Sequence, residues 1–300
     1  MELQGRLKEL QGQGLGVAAI SYDRPEVLAA FARQHQISFP LLSDADSAAI
    51  KAFGVLNPAV EWGLGPGKDD PAVVSQVQKY VAFTGRAAEM MRGMALPGTL
   101  IVDRRGRVTS RFFEEYYTDR STAESVLLRS GNAAAPVQAT RISSGQLDFT
   151  AYVSDASVAV GSRFSIVLDV VPHRGMHVYA PDAANYQPIR LSLAPQPFVK
   201  VLAAEYPSSE IYFFKPLNER VPVFQKPFRI VQDLVVEATV EAQKALQGRD
   251  SLTLAGSVDY QACDDKICYN PVSVPVTFNV ELKPLVREQP IPSPASGPPR

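Results

Sequence analysis

The second half of the chain is dominated by short runs in which hydrophobic and polar residues alternate. Runs of this kind, with many β-branched and aromatic residues, are typical of half-buried strands. Turn-forming residues separate them at the intervals seen in β-sandwiches. The predicted strands cover residues 147–153, 163–170, 177–179, 189–193, 229–237, 251–258 and 272–280. We therefore expect an all-β sandwich in this half.

The first half instead mixes short apolar runs with helical periodicity. Asp23 followed by Pro25 indicates the start of one helix, and Ser43 or Asp44 the start of another. This order of elements predicts an α/β domain. The predicted strands cover residues 16–22, 39–43, 96–103 and 107–113, and the predicted helices cover about residues 1–11, 23–36, 43–53, 73–83 and 121–129.

The only two cysteines of the chain lie close together, in Tyr260-Gln-Ala-Cys263-Asp-Asp-Lys-Ile-Cys268-Tyr-Asn-Pro271. Predicted strands flank this segment on both sides, so the four residues 264–267 are expected to join the cysteines as a hairpin loop. Cross-strand neighbours have Cβ atoms about 4.5–5.5 Å apart, which is close to disulfide range. The pair is therefore predicted to open and close with little movement of the fold.

The spacing alone is compatible with three roles for the pair. A structural disulfide that closes so short a loop would contribute roughly 2 kcal/mol in the chain-entropy model. A zinc site needs four ligands, and the chain offers only His35, His173 and His177 besides the cysteines, so we predict no metal and no cofactor. A redox-active dithiol is the third role, and it stays open beside the structural one.

The residues around the cysteines resemble the active hairpin of the N-terminal periplasmic domain of DsbD, the thiol–disulfide interchange protein. Further matches occur at residues 175–181, 185–191 and 210–214, and the resemblance covers about residues 142–283. It implies an immunoglobulin-like sandwich that passes electrons between a membrane-embedded partner and periplasmic client proteins. One departure concerns the loop, which has four residues between the cysteines where the best-known members have five.

This resemblance implies roles for individual residues. Cys263 and Cys268 would be the catalytic pair of a thiol–disulfide oxidoreductase, with Cys268 facing the partner. In that family a loop shields the cysteines with an aromatic ring and moves aside for partners. The candidates for the shield are Tyr212, Phe213 and Phe214, although three consecutive aromatic residues could equally form a hydrophobic plug between the sheets. His177 and Tyr179 are candidates to line the site, while packing or hydrogen bonding remains the alternative for His177.

Residues 1–130 resemble the thioredoxin-like fold of AhpC/TSA peroxiredoxins, with matches at 17–23, 39–44, 52–55 and 96–103. The resemblance implies that Pro97 is a cis proline facing the active site, and an ordinary trans proline is the alternative. The family's reactive cysteine begins its first long helix, but residues 1–262 contain no cysteine. Peroxidase activity is therefore not expected from this chain. We expect the missing strand and cysteine segment, and a signal peptide, to precede Met1 in a longer protein.

Length and composition indicate the domain organisation and exclude some classes of partner. The chain of 300 residues is predicted to form a domain at 1–130, a linker at 131–141, a sandwich at 142–283 and a proline-rich tail at 284–300. The net charge of −1 predicts no electrostatic attraction to nucleic acid, and no apolar stretch approaches a membrane span. We expect an exported, periplasmic protein with thioredoxin-like redox partners and a DsbD-type membrane electron donor. The alternative is a non-catalytic interaction module with a structural disulfide and a degenerate thioredoxin-like domain.

Overall fold

The computed structural model describes residues 2–113, 120–129, 137–215 and 218–283. The described residues divide into two compact units, residues 2–113 and residues 120–283. Residues 131–136 of the predicted linker and the whole predicted tail, residues 284–300, lie outside the described residues.

The first unit contains short strands and helices in the predicted order. Its helices are α1 (Glu2–Gly5), α2 (Leu7–Gly12), α3 (Pro25–Gln34), α4 (Ala48–Ala52), α5 (Pro58–Gly63) and α6 (Pro71–Thr84), with a 3₁₀ helix at Ala88–Met91. Its strands are β1 (Ala19–Ser21), β2 (Leu41–Ser43), β3 (Gly98–Val102) and β4 (Val108–Phe113). β1 pairs with β2 in parallel, and β3 pairs with β4 as an antiparallel hairpin.

The two aspartates predicted to start helices make different hydrogen bonds. The carboxylate of Asp44 accepts the backbone N–H groups of Ala49 and Ile50, at 3.1 and 2.8 Å. The helix α4 nevertheless begins at Ala48, after Ser47, and not at Ser43 or Asp44 as predicted. Asp23 does not cap α3. It accepts the hydroxyl of Ser21 at 2.7 Å and pairs with Arg86 at 3.2 Å instead.

Pro97 lies directly before β3, and the peptide bond that precedes it is trans. The cis bond implied by the peroxiredoxin resemblance is therefore wrong, and the trans alternative holds. A proline at the start of a strand removes an N–H that the ladder does not need, so its position requires no special backbone geometry.

The second unit is a β-rich domain with two short helices. Its helices are α7 (Ala123–Arg129) and α8 (Val240–Leu246). Its strands are β5 (Arg120–Ser121), β6 (Val137–Ser143), β7 (Leu147–Val153), β8 (Ser157–Ala159), β9 (Ser162–Pro172), β10 (His177–Tyr179), β11 (Arg190–Leu193), β12 (Val199–Glu205), β13 (Glu210–Phe214), β14 (Glu219–Phe224), β15 (Phe228–Val236), β16 (Ser251–Tyr260), β17 (Ala262–Cys263) and β18 (Val272–Lys283).

These strands form three sheets around one large core. The largest has the order β12-β15-β9-β7-β6 with β5 beside β9, the second β11-β16-β18-β8, and the third β13-β14-β10-β17. Alternating residues of β7, β9, β16 and β18 meet in the core, where the rings of Phe149, Phe164 and Phe278 are buried. This alternation of inward apolar and outward polar residues is the pattern from which the strands were predicted.

The helix predicted to close the first domain packs instead on the second unit. Strand β5 pairs in parallel with β9, directly before α7. Leu128 of α7 packs with Tyr152 and Val167 on the sheet. The predicted domain end at residue 130 therefore lies too late in the sequence. An apolar helical pattern shows that a helix is covered, but does not specify which sheet covers it.

Candidate redox site

The segment that contains the cysteines is not part of the ladder formed by the two strands on either side of it. β16 and β18 pair continuously from Ser251 opposite Glu281 to Tyr260 opposite Val272. After Gln261 the chain crosses to the third sheet, where β17 pairs with β10 so that Cys263 lies opposite His177. The cysteines therefore occupy the edge of a sheet other than the one that holds their flanking strands.

Asp264 shapes the loop between the cysteines. Its Oδ1 accepts the N–H groups of Lys266 and Ile267 at 2.8 and 2.7 Å, and its own N–H donates to the carbonyl of Ile267 at 3.0 Å. These backbone hydrogen bonds lower the pKa of the Asp264 carboxyl. The closed turn makes Cys263 and Cys268 bridge partners with a Cα–Cα distance of 4.1 Å, joined by a disulfide. The predicted hairpin with a four-residue loop is confirmed.

The two sulfur-bearing residues differ in exposure. Cys263 is 0% exposed, whereas Cys268 is half-buried. The neighbouring Ile267 is 54% exposed and marks the outer rim of the loop. Cys268 is therefore the more exposed residue of the pair.

Tyr179 contacts both sulfurs. Its hydroxyl lies 2.9 Å from Sγ of Cys263 and 3.2 Å from Sγ of Cys268. Its ring stacks on Tyr186 with centroids 4.1 Å apart, and the hydroxyl of Tyr186 donates to the carboxylate of Glu219. Burial and these neighbours raise the pKa of Tyr179, so that it keeps its proton in the neutral pH range. Tyr179 can therefore donate a hydrogen bond to a sulfur that becomes negatively charged.

His177 lies on the same face of β10 as Tyr179, since the two are separated by one residue. Its side chain is 1% exposed. The imidazole ring packs against Tyr212 with centroids 4.3 Å apart and meets Tyr179 edge-on at 6.0 Å. Burial lowers the pKa of His177, while Asp264 acts in the opposite direction.

The three aromatic candidates for the shield have different environments along β13. Tyr212 is half-buried in a cluster with Tyr179 and the two cysteines. Phe213 is 42% exposed, and the guanidinium of Arg220 lies 5.5 Å from its ring centroid. Phe214 is buried. Because successive residues of a strand face opposite sides, the three consecutive aromatics cannot all cover one site, and the geometry favours Tyr212.

Tyr212→Ala is expected to speed alkylation of the reduced cysteines by iodoacetamide, by roughly an order of magnitude, because thiol reactivity depends on access. The rate is measured on the reduced chain by mass spectrometry. Phe213→Ala is the matched control, since it removes an aromatic ring from the same strand on its exposed side. Equal rates in both variants and the wild type would contradict a shielding role for Tyr212.

The remaining predicted site residue, Pro97, belongs to the first unit and not to the β-rich unit that holds the cysteines. Two residues near the disulfide were not identified as site residues from the sequence, namely Tyr186 and Glu219. Tyr186 falls in a segment that resembles the DsbD domain, which was the one available signal. Glu219 has no local sequence feature that marks it.

Metal ligation and membrane insertion are two further properties of the residues that the structure describes. Within these ranges, no group of three or more His, Cys, Asp or Glu side chains is placed to hold a metal ion. None of the helices in the described part of the chain is long and apolar enough to cross a membrane.

Comparison with known proteins gives a separate result for each half. The model of the AhpC/TSA family matches residues 1–111. Peroxiredoxin Bcp of Escherichia coli is 42% identical over 61 residues, which are 20% of this chain and 35% of that protein. A putative peroxiredoxin of Mycobacterium tuberculosis is 30% identical over 105 residues, covering 32% of this chain and 66% of the relative. The chain thus spans only about a third of the first relative's length.

The second half matches the model described as thiol:disulfide interchange protein DsbD, N-terminal, over residues 149–279. The N-terminal periplasmic domain of ScsB from Proteus mirabilis aligns with 12% identity and a TM-score of 0.34, over 49% of this chain and 52% of that one. The reduced DsbD N-terminal domain of Neisseria meningitidis aligns with 13% identity and a TM-score of 0.27, over 39% and 76%. This protein therefore combines an α/β, thioredoxin-like AhpC/TSA domain at residues 1–111 with a β-rich DsbD N-terminal domain at residues 149–279.

Proposed function

We propose that this protein performs thiol–disulfide exchange through Cys263 and Cys268 with a thioredoxin-like partner in an exported redox pathway. The observation that supports it most is the asymmetric disulfide at the sheet edge, with Cys263 buried and Cys268 half-buried. A disulfide with one accessible sulfur offers a single point of attack, which favours one orientation of the mixed disulfide. The match to the DsbD N-terminal family supports the same chemistry.

The exchange proceeds in two balanced steps when a partner dithiol reduces the pair. A thiolate of the partner attacks Sγ of Cys268, and the bond between Cys268 and Cys263 breaks. Cys263 leaves as a thiolate, which the Tyr179 hydroxyl stabilises from 2.9 Å. The second thiol of the partner then attacks the mixed disulfide, so Cys268 is released and the partner becomes oxidised.

The first unit is assigned no thiol chemistry of its own in this scheme, because residues 1–262 contain no cysteine. Its similarity to peroxiredoxins supports a role in contacting redox proteins. A periplasmic location and a DsbD-type membrane electron donor are part of the proposal, and the relatives of the second unit support them.

The reduction potential of the pair tests the proposal. The chain is equilibrated in buffers of defined dithiothreitol ratio, and the fraction of disulfide is measured by thiol labelling. We expect a potential above about −300 mV, within the range of thiol–disulfide oxidoreductases. A chain with both cysteines replaced by serine supplies the labelling background. A potential well below about −300 mV would indicate a structural disulfide in a non-catalytic interaction module.

A further inference from the structure

One ring nitrogen beside the disulfide is buried without a hydrogen-bond partner. Among the described residues, Nε2 of His177 finds no donor or acceptor, and its side chain is 1% exposed. Leaving a buried polar atom unpaired destabilises the folded state, because the atom gives up its hydrogen bonds to water without replacing them. An apolar ring of similar size would avoid this cost, so the stability of the oxidised form does not explain the choice of histidine.

The position of His177 relates it to one sulfur in particular. His177 and Cys263 lie directly opposite each other in the β10–β17 ladder. Side chains in such pairs share one face of the sheet, with Cβ atoms about 4.5–5.5 Å apart. Tyr212 covers the imidazole ring, and Tyr179 contacts the sulfur from the same face. The imidazole and the buried sulfur therefore occupy one compartment closed by aromatic rings.

Reduction of the disulfide changes what this compartment contains. In the disulfide, the sulfur of Cys263 carries no proton. The reduced Cys263 thiol can donate a hydrogen bond, and the unprotonated nitrogen of a neutral imidazole can accept it. Burial lowers the pKa of His177, so the ring is neutral at pH 7. The titratable groups that face it are Tyr179 from β10, Tyr212 from β13, Cys263 from β17, and Asp264, which follows β17.

We propose that His177 is the general base that removes the proton from the Cys263 thiol when the dithiol closes to the disulfide. This rests on the exchange function proposed above. Cys268 first attacks one sulfur of a client disulfide as its thiolate and forms a mixed disulfide. The bond between the two client sulfurs breaks, and the departing client sulfur takes up the proton that Cys268 has lost. The proton of Cys263 then moves to Nε2 of His177, and Sγ of Cys263 bonds to Sγ of Cys268. The bond from Cys268 to the client sulfur breaks, and the client leaves as a thiolate.

This sequence balances in electrons and protons. The dithiol loses two electrons to the client disulfide, which becomes a thiol and a thiolate. The proton held by His177 passes to solvent after the client departs and Tyr212 exposes the ring. A base is needed at this step because Cys263 is 0% exposed, and burial disfavours the charged thiolate.

The test uses the reduced full chain and 5,5′-dithiobis(2-nitrobenzoate), an aromatic disulfide that releases a coloured thiolate at each step. The first release reports attack by Cys268, and the second reports closure by Cys263. His177→Gln is expected to slow the second release about 100-fold at pH 7, at the lower end of general-base effects, and to leave the first unchanged. His35→Gln, in the first unit, is the matched control and should alter neither release.

The pH profile separates a base from a packing residue. If His177 is the base, the rate of the second release should be nearly constant from about pH 7 to about pH 8.5. The rate should fall at lower pH as the imidazole becomes protonated. Without a base, the rate follows the thiolate fraction and rises about tenfold per pH unit. His177→Gln should show that steep rise.

The outcomes distinguish the two proposals. A steep profile in the wild type, or an unchanged second release in His177→Gln, would overturn the role of His177 alone. A wild-type chain that releases no second thiolate would overturn the exchange function itself. If His177→Gln does not fold, the wild-type pH profile decides the question, because it needs no variant.

Discussion

Replacing Cys263 with serine is expected to trap the protein as a mixed disulfide and to abolish dithiol turnover completely. Cys268 is half-buried and keeps its access to a partner sulfur, but the group that would release the partner is gone. The partner is a thioredoxin-like protein whose second active-site cysteine is replaced by serine and whose remaining cysteine is first converted to its mixed disulfide with 5-thio-2-nitrobenzoate. Attack by Cys268 then displaces this small thiolate, so no other oxidant is needed. A band at the summed mass on a non-reducing gel, lost on reduction, is the expected result.

The matched variant is Cys268→Ser, which leaves only the sulfur that is 0% exposed. Its mixed disulfide should form far more slowly, because access limits thiol–disulfide exchange. Faster trapping by Cys268→Ser than by Cys263→Ser would reverse the assignment of the attacking sulfur. No trapping by either variant would contradict exchange and favour a structural disulfide.

The sequence contained enough information to predict the strands around the cysteines and the loop between them. The alternating runs before and after the pair form β16 and β18, and their register brings the hairpin together. Alternation is a local property, so a sequence reveals it directly. The transfer of β17 to the sheet of β10 was not predictable in the same way, because strand pairing over a long sequence separation depends on the whole core.

The side chains around the disulfide show the same limit. The sequence identified three consecutive aromatic residues as possible shields, but only the tertiary structure shows that Tyr212, and not Phe213, faces the cysteines. The contact of Tyr179 with Cys263 joins residues 84 positions apart. The link from Tyr186 to Glu219 also bridges separate loops and strands. Such contacts follow from tertiary packing, which no local pattern encodes.

The helix α7 is the clearest difference from the sequence prediction, and a buried carboxylate explains its position. Asp233 of β15 is 2% exposed and contacts Arg129 of α7 at 2.7 Å and Arg163 of β9 at 2.8 Å. The hydroxyl of Ser165 donates to the same carboxylate at 2.6 Å. Ion pairs and a hydrogen bond therefore hold α7 against the sheet, in addition to its apolar packing.

Asp233→Asn is expected to destabilise the second unit by about 3–5 kcal/mol, since removing one partner leaves buried charges uncompensated. The matched control is Asp169→Asn, which breaks the more exposed pair between β9 and Arg229 at 2.6 Å and should cost about 0–1 kcal/mol. Urea unfolding is followed by circular dichroism for the sheets and by fluorescence of Trp62, the single tryptophan, for the first unit.

The two signals make this last prediction specific to one unit. Asp233→Asn should move the circular dichroism transition to lower urea and leave the Trp62 transition in place, because Asp233 and its two charged partners lie in the second unit. A change below about 1 kcal/mol would show that the network adds little to stability, as exposed pairs do. A shift of the Trp62 transition as well would contradict the assignment of α7 to the sandwich, since α7 would then stabilise the first unit too.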